Sequence, residues 1–447
     1  MARVVIIGAG LTGLSAAYHL EQSGFFDYEI FEKESEPGGL LRSISHDGFT
    51  FDYSGHILHV NDPYFGWFLE SILGQSSLYK HQRRAFILSH RGYTAYPFQE
   101  NLGGLPPAIA KQCILDYIKR PLSQSKPKTF LEWSQHHFGR GISKHFLIPY
   151  NEKITCKNLN EIMSSWTGRF VPKTSLKKLL QGTINVSTSS QSGYNPTFFY
   201  PVNGGIQTLI SKLKSRLKNS IKTNHKAVEV NQTKKVVTFE NGEKATYSKL
   251  ISTAPLPTFL KTLSPKAFAI AEKKLTATST LCLNLGFNIP QLIKAHWVYV
   301  PEKEYQFHRF GTWSNFSPSM APAKHSSVYL EISFNKNTTT KDKLKTLADT
   351  AIESFLKLFN LSEQNIATRK DLVIPTSYVV YDLWREKNIT KIHNQLNVYN
   401  IYSEGRFGAW KYSSMQEAVL DGKNVAEKIL AELVATAQRQ HGTMASV

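Results

Sequence analysis

Residues 4–20 read VVIIGAGLTGLSAAYHL, an apolar run that meets three glycines and continues as helix-forming residues. Gly8, Gly10 and Gly13 fall between the strand-like VVII and the start of that helix, in G-x-G-x-x-G spacing. The spacing has a mechanical basis. Gly8 permits the tight turn out of the strand, Gly10 lets backbone approach a pyrophosphate, and Gly13 lets helix and strand pack closely. The free N–H groups at the helix start then face the phosphates. A second strand-like run follows in YEIFEKE (28–34). Glu32 closes it nineteen residues beyond Gly13, where a carboxylate accepts the adenosine ribose hydroxyls. A glycine triplet alone also describes a tight turn. Here the strand, the helix and the acid agree on a dinucleotide-binding βαβ unit.

The chain has 447 residues, 41% hydrophobic and 19% charged, a composition that belongs to globular proteins with room for two or three packed regions. No apolar run is long enough to span a bilayer, which argues against a transmembrane segment. The nucleotide signature starts at Val4, leaving no room ahead of it for a signal peptide. Cys113, Cys156 and Cys282 lie far apart, with neither disulfide nor metal-ligand spacing. The expectation is a cytoplasmic protein without a metal site. The formal charge of +19 favours anionic partners. Its Lys and Arg residues are scattered and no nucleic-acid module is present, so no specific nucleic acid is expected. KLKSRLK (212–218) reads as a solvated helix face. A nucleotide diphosphate remains open as partner, as does peripheral contact with an anionic membrane surface. Oligomeric state is not read.

Along the chain, PPAIAKQCILDYIKR (106–120) predicts a helix, followed by the break PLSQSKPKT (121–129). Thr129 is placed to cap FLEWSQHHFG, a helix expected to end near Gly139 and Gly141. Residues 184–196 read as a loop, and GGIQTLISKLKSRLKN (204–219) as a helix with Ile206, Leu209, Ile210 and Leu213 on one face. Glu240-Asn241-Gly242 reads as a hairpin turn. Strands follow in ATSTLCLNLGF (277–287), HWVYV (296–300), YQFHRFG (305–311) and SVYLEISF (327–334). A long amphipathic helix follows at 341–359, then a strand, a glycine turn and a final helix over 400–434.

On further segments the chain resembles the flavin-dependent amine oxidase / protoporphyrinogen oxidase superfamily and, within it, the UDP-galactopyranose mutase family. These are EPGGLLRS (36–43), GFTFDYSGHIL (48–58), YPFQENLGGLP (96–106), IPYNEKI (148–154), FFYPVNGGI (198–206), FHRFGTWSNFSPS (307–319) and EGRFGAWKYSSM (404–415). The resemblance runs from Val4 to about Leu433. It implies an α/β fold: a Rossmann-like FAD-binding domain with inserted helical and antiparallel-sheet substrate domains. The expected FAD-binding segments are 1–95, 196–260 and 396–435. A mainly helical insertion is expected at 96–195, a mixed antiparallel-sheet substrate domain at 261–395, and a flexible tail at 436–447.

The resemblance also implies site residues. FAD would be held by Gly8, Gly10, Gly13, Glu32, Gly38, Gly39, Arg42, Gly55, the backbone of Val228, Arg406 and Met415. His56 would approach the reactive face of the flavin, and Arg309 and Arg406 would meet the substrate diphosphate, for which a permanently charged planar fork is suited. Tyr378 and Tyr412 would touch the diphosphate, Tyr96 and Gln99 the uridine, and Asn151 and Asn195 the nucleotide or sugar. The implied activity is interconversion of UDP-galactopyranose and UDP-galactofuranose through a sugar adduct at N5 of reduced FAD, an isomerase reaction serving cell-envelope precursor synthesis. NAD(P)H is the implied external reductant. An FAD-dependent amine oxidase or protoporphyrinogen-oxidase-like oxidoreductase shares the cofactor fold, and a noncatalytic nucleotide-sugar-binding flavoprotein is a third reading. Three positions depart from the mutase pattern. Phe170 stands where an arginine is expected, with Arg169 one place earlier; PYNEKIT ends in Thr155 instead of tryptophan; and KYSSMQE is closer to the wider oxidoreductase group.

Overall fold

The computed structural model describes residues 3–121, 126–168, 170–184, 195–266 and 268–444. Its cofactor-side layer is a five-stranded parallel sheet in the order Ile401–Ser403, Lys249–Ser252, Val4–Ile7, Tyr28–Phe31, Ile221–Lys222. Val4 pairs with Lys249 on one side and Tyr28 on the other, which places VVII at the centre. A central parallel strand is covered on both faces, and this is why its sequence is continuously apolar instead of alternating. The helix Leu11–Gln22 starts straight from this strand with Gly10 as its N-cap. A Cβ at Gly13 would lie 2.0 Å from the Gly8 carbonyl oxygen, so helix and strand approach only because it is absent. The helix Met415–Met444 packs alongside, and Ser15 Oγ donates to the Val419 carbonyl at 2.8 Å.

The second layer is a seven-stranded sheet in the order Ile366–Ile374, Ser279–Phe287, Ser326–Phe334, Arg309–Thr312, Trp297–Tyr299, Ala85–Ser89, Gly92–Ala95. Period-two alternation decides which residues reach the site. Val328, Leu330, Ile332 and Phe334 join Leu283, Phe310 and Phe355 in a core under the helix Lys341–Leu358. Their neighbours Tyr329, Glu331 and Arg309 therefore point to the other face, towards the cofactor-side layer. The two strands within 85–95 pair into this sheet and not into the parallel one.

Most predicted elements stand where expected. Ile206, Leu209, Ile210 and Leu213 are buried on the helix side, and the hairpin of Val236–Phe239 with Lys244–Thr246 turns at Gly242. Thr129 caps Phe130–Ile142 with a reciprocal Glu132 contact. The expected end near Gly139 is met: its φ of 78° and ψ of 172° break the helix there, and a second helical stretch follows directly, through a π-turn, Ser143–Leu147, into Ile148–Thr155. Gly139 is a packing residue, since a Cβ would lie 2.2 Å from the Asp116 carbonyl oxygen of the neighbouring helix. The strand expected at 305–311 begins only at Arg309. The final helix runs to Met444, through most of the stretch read as a tail. The loop predicted at 184–196 falls mostly outside the described residues, as does Arg169. No helix among the described residues is long and apolar enough to cross a membrane.

Gly13→Ala should destabilise the fold by about 1–3 kcal/mol, the range for overpacking, with loss of bound flavin. Denaturant melts and flavin absorbance of the purified variant test this, and a wild-type melt with full flavin content would contradict it.

Candidate active site

The glycine turn and the ribose acid are already organised. Glu32, 6% exposed, accepts from Ala9 N at 2.8 Å and Glu34 N at 3.0 Å, which fixes its carboxylate beside the turn. Gly38 donates from N to the Ala9 carbonyl at 2.9 Å and bridges Gly10, so the two glycine loops run side by side with Gly39 next in line. Arg42 braces this loop, giving Nε to the Gly39 carbonyl at 3.1 Å and covering the Tyr53 ring at 4.6 Å. Val228 occupies a register shift in its strand and is 43% exposed, which makes its backbone rather than its side chain the usable group.

From Gly10 the cradle opens into a cavity of about 380 Å³ between the two sheets. Gly55, His56, Arg309, Tyr378, Arg406, Tyr412 and Met415 line it, joined by Tyr96, Gln99, Asn151 and Asn195. The structure therefore brings together twelve of the sequence-predicted residues, Gly10 included. Gly8, Gly13, Glu32, Gly38, Gly39, Arg42 and Val228 do not line it. All but Val228 cluster at the turn behind Gly10.

Arg406 sits at the start of the final helical unit. It gives Nη1 to the Ser413 carbonyl at 2.7 Å and Nη2 to the Ser377 carbonyl at 3.1 Å, beneath Tyr412 at 5.0 Å and Tyr378 at 5.7 Å. Its buried Nε has no protein partner, and Gln99 Oε1, Ser413 Oγ and Ser414 Oγ are likewise unpaired at the cavity wall. Buried polar groups are otherwise satisfied, so such groups converging on one cavity fit a polar ligand.

Arg309 is held differently. Its Nε and Nη2 form a fork on Glu331, at 2.7 and 2.9 Å. Glu331 is 0% exposed and also accepts from Ser54 Oγ and from Gly55 N at 3.1 Å. Burial alone would raise this carboxyl. The Arg309 charge, with the His308 and Ser54 contacts, holds it well below the usual carboxylate range. The pair is internally neutralised, leaving the Nη1 edge of Arg309 for a ligand, while Arg406 has no ion-pair partner among the described residues.

Ser54 has φ 79°, a left-handed conformation costing a non-glycine residue roughly 1–2 kcal/mol, which the Glu331 contacts offset. Gly55 serves a packing purpose beyond the expected cofactor contact, because a Cβ would lie 2.3 Å from the Tyr329 hydroxyl. His56 Nδ1 lies 3.0 Å from the Ser54 carbonyl, which can only accept, so Nδ1 carries the proton and Nε2 is an acceptor. Burial first and the Arg406 charge second push its pKa down to about 4.

The remaining predicted groups are oriented from behind. Asn195 Oδ1 accepts from the buried Arg83 at 2.7 Å, Asn151 donates to the Leu147 carbonyl at 2.8 Å, and Gln99 Nε2 to the Pro172 carbonyl at 2.6 Å. Tyr96 lies against Tyr299 at 4.9 Å. Glu331, Arg83 and Tyr299 escaped sequence reasoning. The signal for Glu331 was present: it shares a strand face with Tyr329, and that face meets the cofactor-side layer, not solvent.

A parallel-sheet nucleotide cradle opening into a cavity roofed by an antiparallel sheet defines a two-layer flavoprotein. Residues 11–430 match the model of the flavin containing amine oxidoreductases, and the chain belongs to that family. A crystal structure of reduced UDP-galactopyranose mutase is similar to it at TM-score 0.90 and 28% identity, covering 96% of this chain and 94% of the other. Wild-type putrescine oxidase bound to putrescine shares the fold at TM-score 0.65 and 14% identity, with 96% and 99% covered. Among curated proteins, the 4,4'-diapolycopene oxygenase of Methylomonas sp is 50% identical over 66 residues, 14% of this chain and 13% of that protein. The 4,4'-diapophytoene desaturase of Staphylococcus haemolyticus is 43% identical over 68 residues, 15% and 13%. The match thus spans only a small part of those curated relatives. The family supports FAD as cofactor; Glu32 beside the glycine turn and the Leu11 helix start are the groups that would hold its ribose and pyrophosphate.

Two outcomes follow from the site electrostatics. Arg309→Met leaves Glu331 buried without its counter-charge and should destabilise the protein by about 3–5 kcal/mol, a loss that Arg309→Met/Glu331→Gln should largely recover. Equal melts for the single and double variants would contradict the pairing. His56 should stay neutral down to about pH 4, whereas an unfolded histidine charges near 6.5. Its contribution to stability is therefore complete above 6.5 and is lost as pH falls towards 4. Arg406→Met removes a depressing charge, so the NMR titration of His56 should move upward, and an unchanged midpoint would refute this.

Proposed function

We propose that this protein is a flavin-dependent UDP-sugar mutase interconverting UDP-galactopyranose and UDP-galactofuranose, with NAD(P)H as the source of reducing equivalents. The observation that carries the reading is the placement of Arg406, with its unpaired Nε and the Tyr378 and Tyr412 hydroxyls, in the same cavity as His56. A dianionic diphosphate suits that end, because a guanidinium and two phenols supply donors, and Glu404 on the same wall is pushed up to about 7 by burial. Tyr96, Gln99 and Asn195 offer a flat ring and amide groups to a uracil base, and Asn151 a carbonyl oxygen to sugar or nucleotide hydroxyls. Reduced FAD, when bound, supplies the nucleophile at N5 for covalent catalysis at the anomeric carbon.

The chain's own residues position the substrate and stabilise its charge. Arg406 and the Nη1 edge of Arg309 hold the diphosphate and stabilise the charge it gains as its bond to the sugar breaks. His56, neutral with Nε2 as acceptor, orients a hydroxyl beside the flavin position. The amine-oxidase reading fits less well: a cationic amine would face Arg406, while Glu331 is already committed to Arg309.

Chemically reduced protein incubated with UDP-galactose, UDP-N-acetylgalactosamine and UDP-arabinopyranose should yield a furanose isomer separable by chromatography, and oxidised protein should yield none. Arg406→Ala should raise KM by about tenfold or more, as for a lost charge-assisted hydrogen bond. No furanose product in either direction would sink the mutase reading. UDP binding without conversion would favour a noncatalytic binder, and flavin reduction by an amine would favour the oxidase.

A further inference from the structure

Lys153 lies two residues beyond Asn151, yet it does not line the cavity. Its Nζ instead donates to four backbone carbonyls, those of Val300 at 3.0 Å, Glu302 at 2.5 Å, Tyr305 at 2.8 Å and Phe307 at 3.1 Å. An ammonium has three hydrogens, so four oxygens at these distances share them without one-to-one pairing. Such a shell surrounds a charge rather than matching a set of directed bonds. These four carbonyls lie in the stretch that precedes the start of the strand at Arg309.

The four carbonyls belong to the turn joining Trp297–Tyr299 to Arg309–Thr312. Tyr299 and Arg309 are register partners at its base, and both line the cavity. Tyr150, Asn151 and Thr155, on the same short helix as Lys153, form the adjoining wall, with Tyr150 edge-on to Tyr299 at 5.3 Å. We infer that Lys153 is a positioning residue whose ammonium fills a monovalent-cation site built from these four carbonyls, and that this charge sets the spacing of the two walls. Burial pushes the amine down to about 7, with Glu302 and Glu304 on the turn acting the other way. His308 is pushed down chiefly by its own burial, and burial pushes the Tyr305 phenol on the same turn up. A neutral side chain at 153 would leave the converging oxygens facing one another, whereas an ion of ammonium size would satisfy them.

The effect on ligand affinity rests on the UDP-sugar reading above; the cation site does not. FAD-loaded wild type, Lys153→Ala and Lys153→Met are compared in potassium, ammonium and choline chloride at equal ionic strength. Thermal midpoints and UDP affinity from flavin fluorescence are the readouts. Lys153→Ala should melt several degrees lower than wild type in choline and regain most of that in potassium or ammonium. Its UDP affinity should fall about tenfold in choline, the cost of roughly one charge-assisted hydrogen bond, and recover in the other salts. Lys153→Met, which fills the space without charge, should stay impaired in all three, while wild type is indifferent to the cation. Indifference of Lys153→Ala to the cation, or wild-type behaviour of Lys153→Met, overturns the inference. If wild type binds no UDP, the mutase reading fails while the melting comparison still decides the cation site. If neither variant folds, hydrogen exchange of wild type decides: residues 300–308 should exchange far more slowly than a free loop, and free-peptide rates there overturn the assignment.

Discussion

A single carboxylate organises the centre of this molecule. Glu331 leaves the antiparallel sheet fully buried and accepts from Arg309 twice, from Ser54 Oγ and from Gly55 N. A buried charge is tolerated only when paired and hydrogen-bonded, and here the partners come from both layers. The contact fixes a guanidinium on the roof of the cavity and a left-handed backbone turn on its floor. His56 follows that turn by two residues, so its tautomer and position depend on the same carboxylate. Neutralising Arg309 in this way also concentrates the site's net positive charge at Arg406.

The cofactor layer was readable because its rules are local. VVII is apolar since it lies between two parallel neighbours, and Gly8 and Gly13 have individual steric reasons. The strands of the antiparallel sheet were legible through alternation, but alternation says only that one face differs from the other. It does not say what covers each face, and the layer over the Glu331 face comes from sequence almost three hundred residues away. Gly139 was legible as a helix stop, but its second role was not: a neighbouring helix also requires close approach there. Lys153 left no side-chain signature at all, because its partners are main-chain carbonyls. Arg309 and Arg406 were both found through motif matches, yet only the structure shows which of the two is held in an ion pair.

The departures from the mutase pattern have a physical content. Phe170 stands edge-on to Tyr412 at 4.5 Å, and both line the cavity. Where an arginine would add charge, the chain places a ring that orients the tyrosine stacked over Arg406. Thr155 turns its hydroxyl back to the Asn151 carbonyl at 2.8 Å, so its methyl is left for the cavity. The first change exchanges charge for an aromatic ring, and the second a flat aromatic surface for a small side chain.

The order of strands in the parallel sheet has a consequence for biosynthesis. The central strand, Val4–Ile7, emerges from the ribosome early, but its neighbour Lys249–Ser252 and the edge strand Ile401–Ser403 follow hundreds of residues later. At ordinary elongation rates of 5–20 residues per second, that delay is on the order of tens of seconds. Throughout it the nascent chain carries a hydrophobic strand lacking half its pairing and a glycine turn without the helix that backs it. The parallel sheet that frames the glycine turn therefore closes only after Ile401–Ser403 has been made.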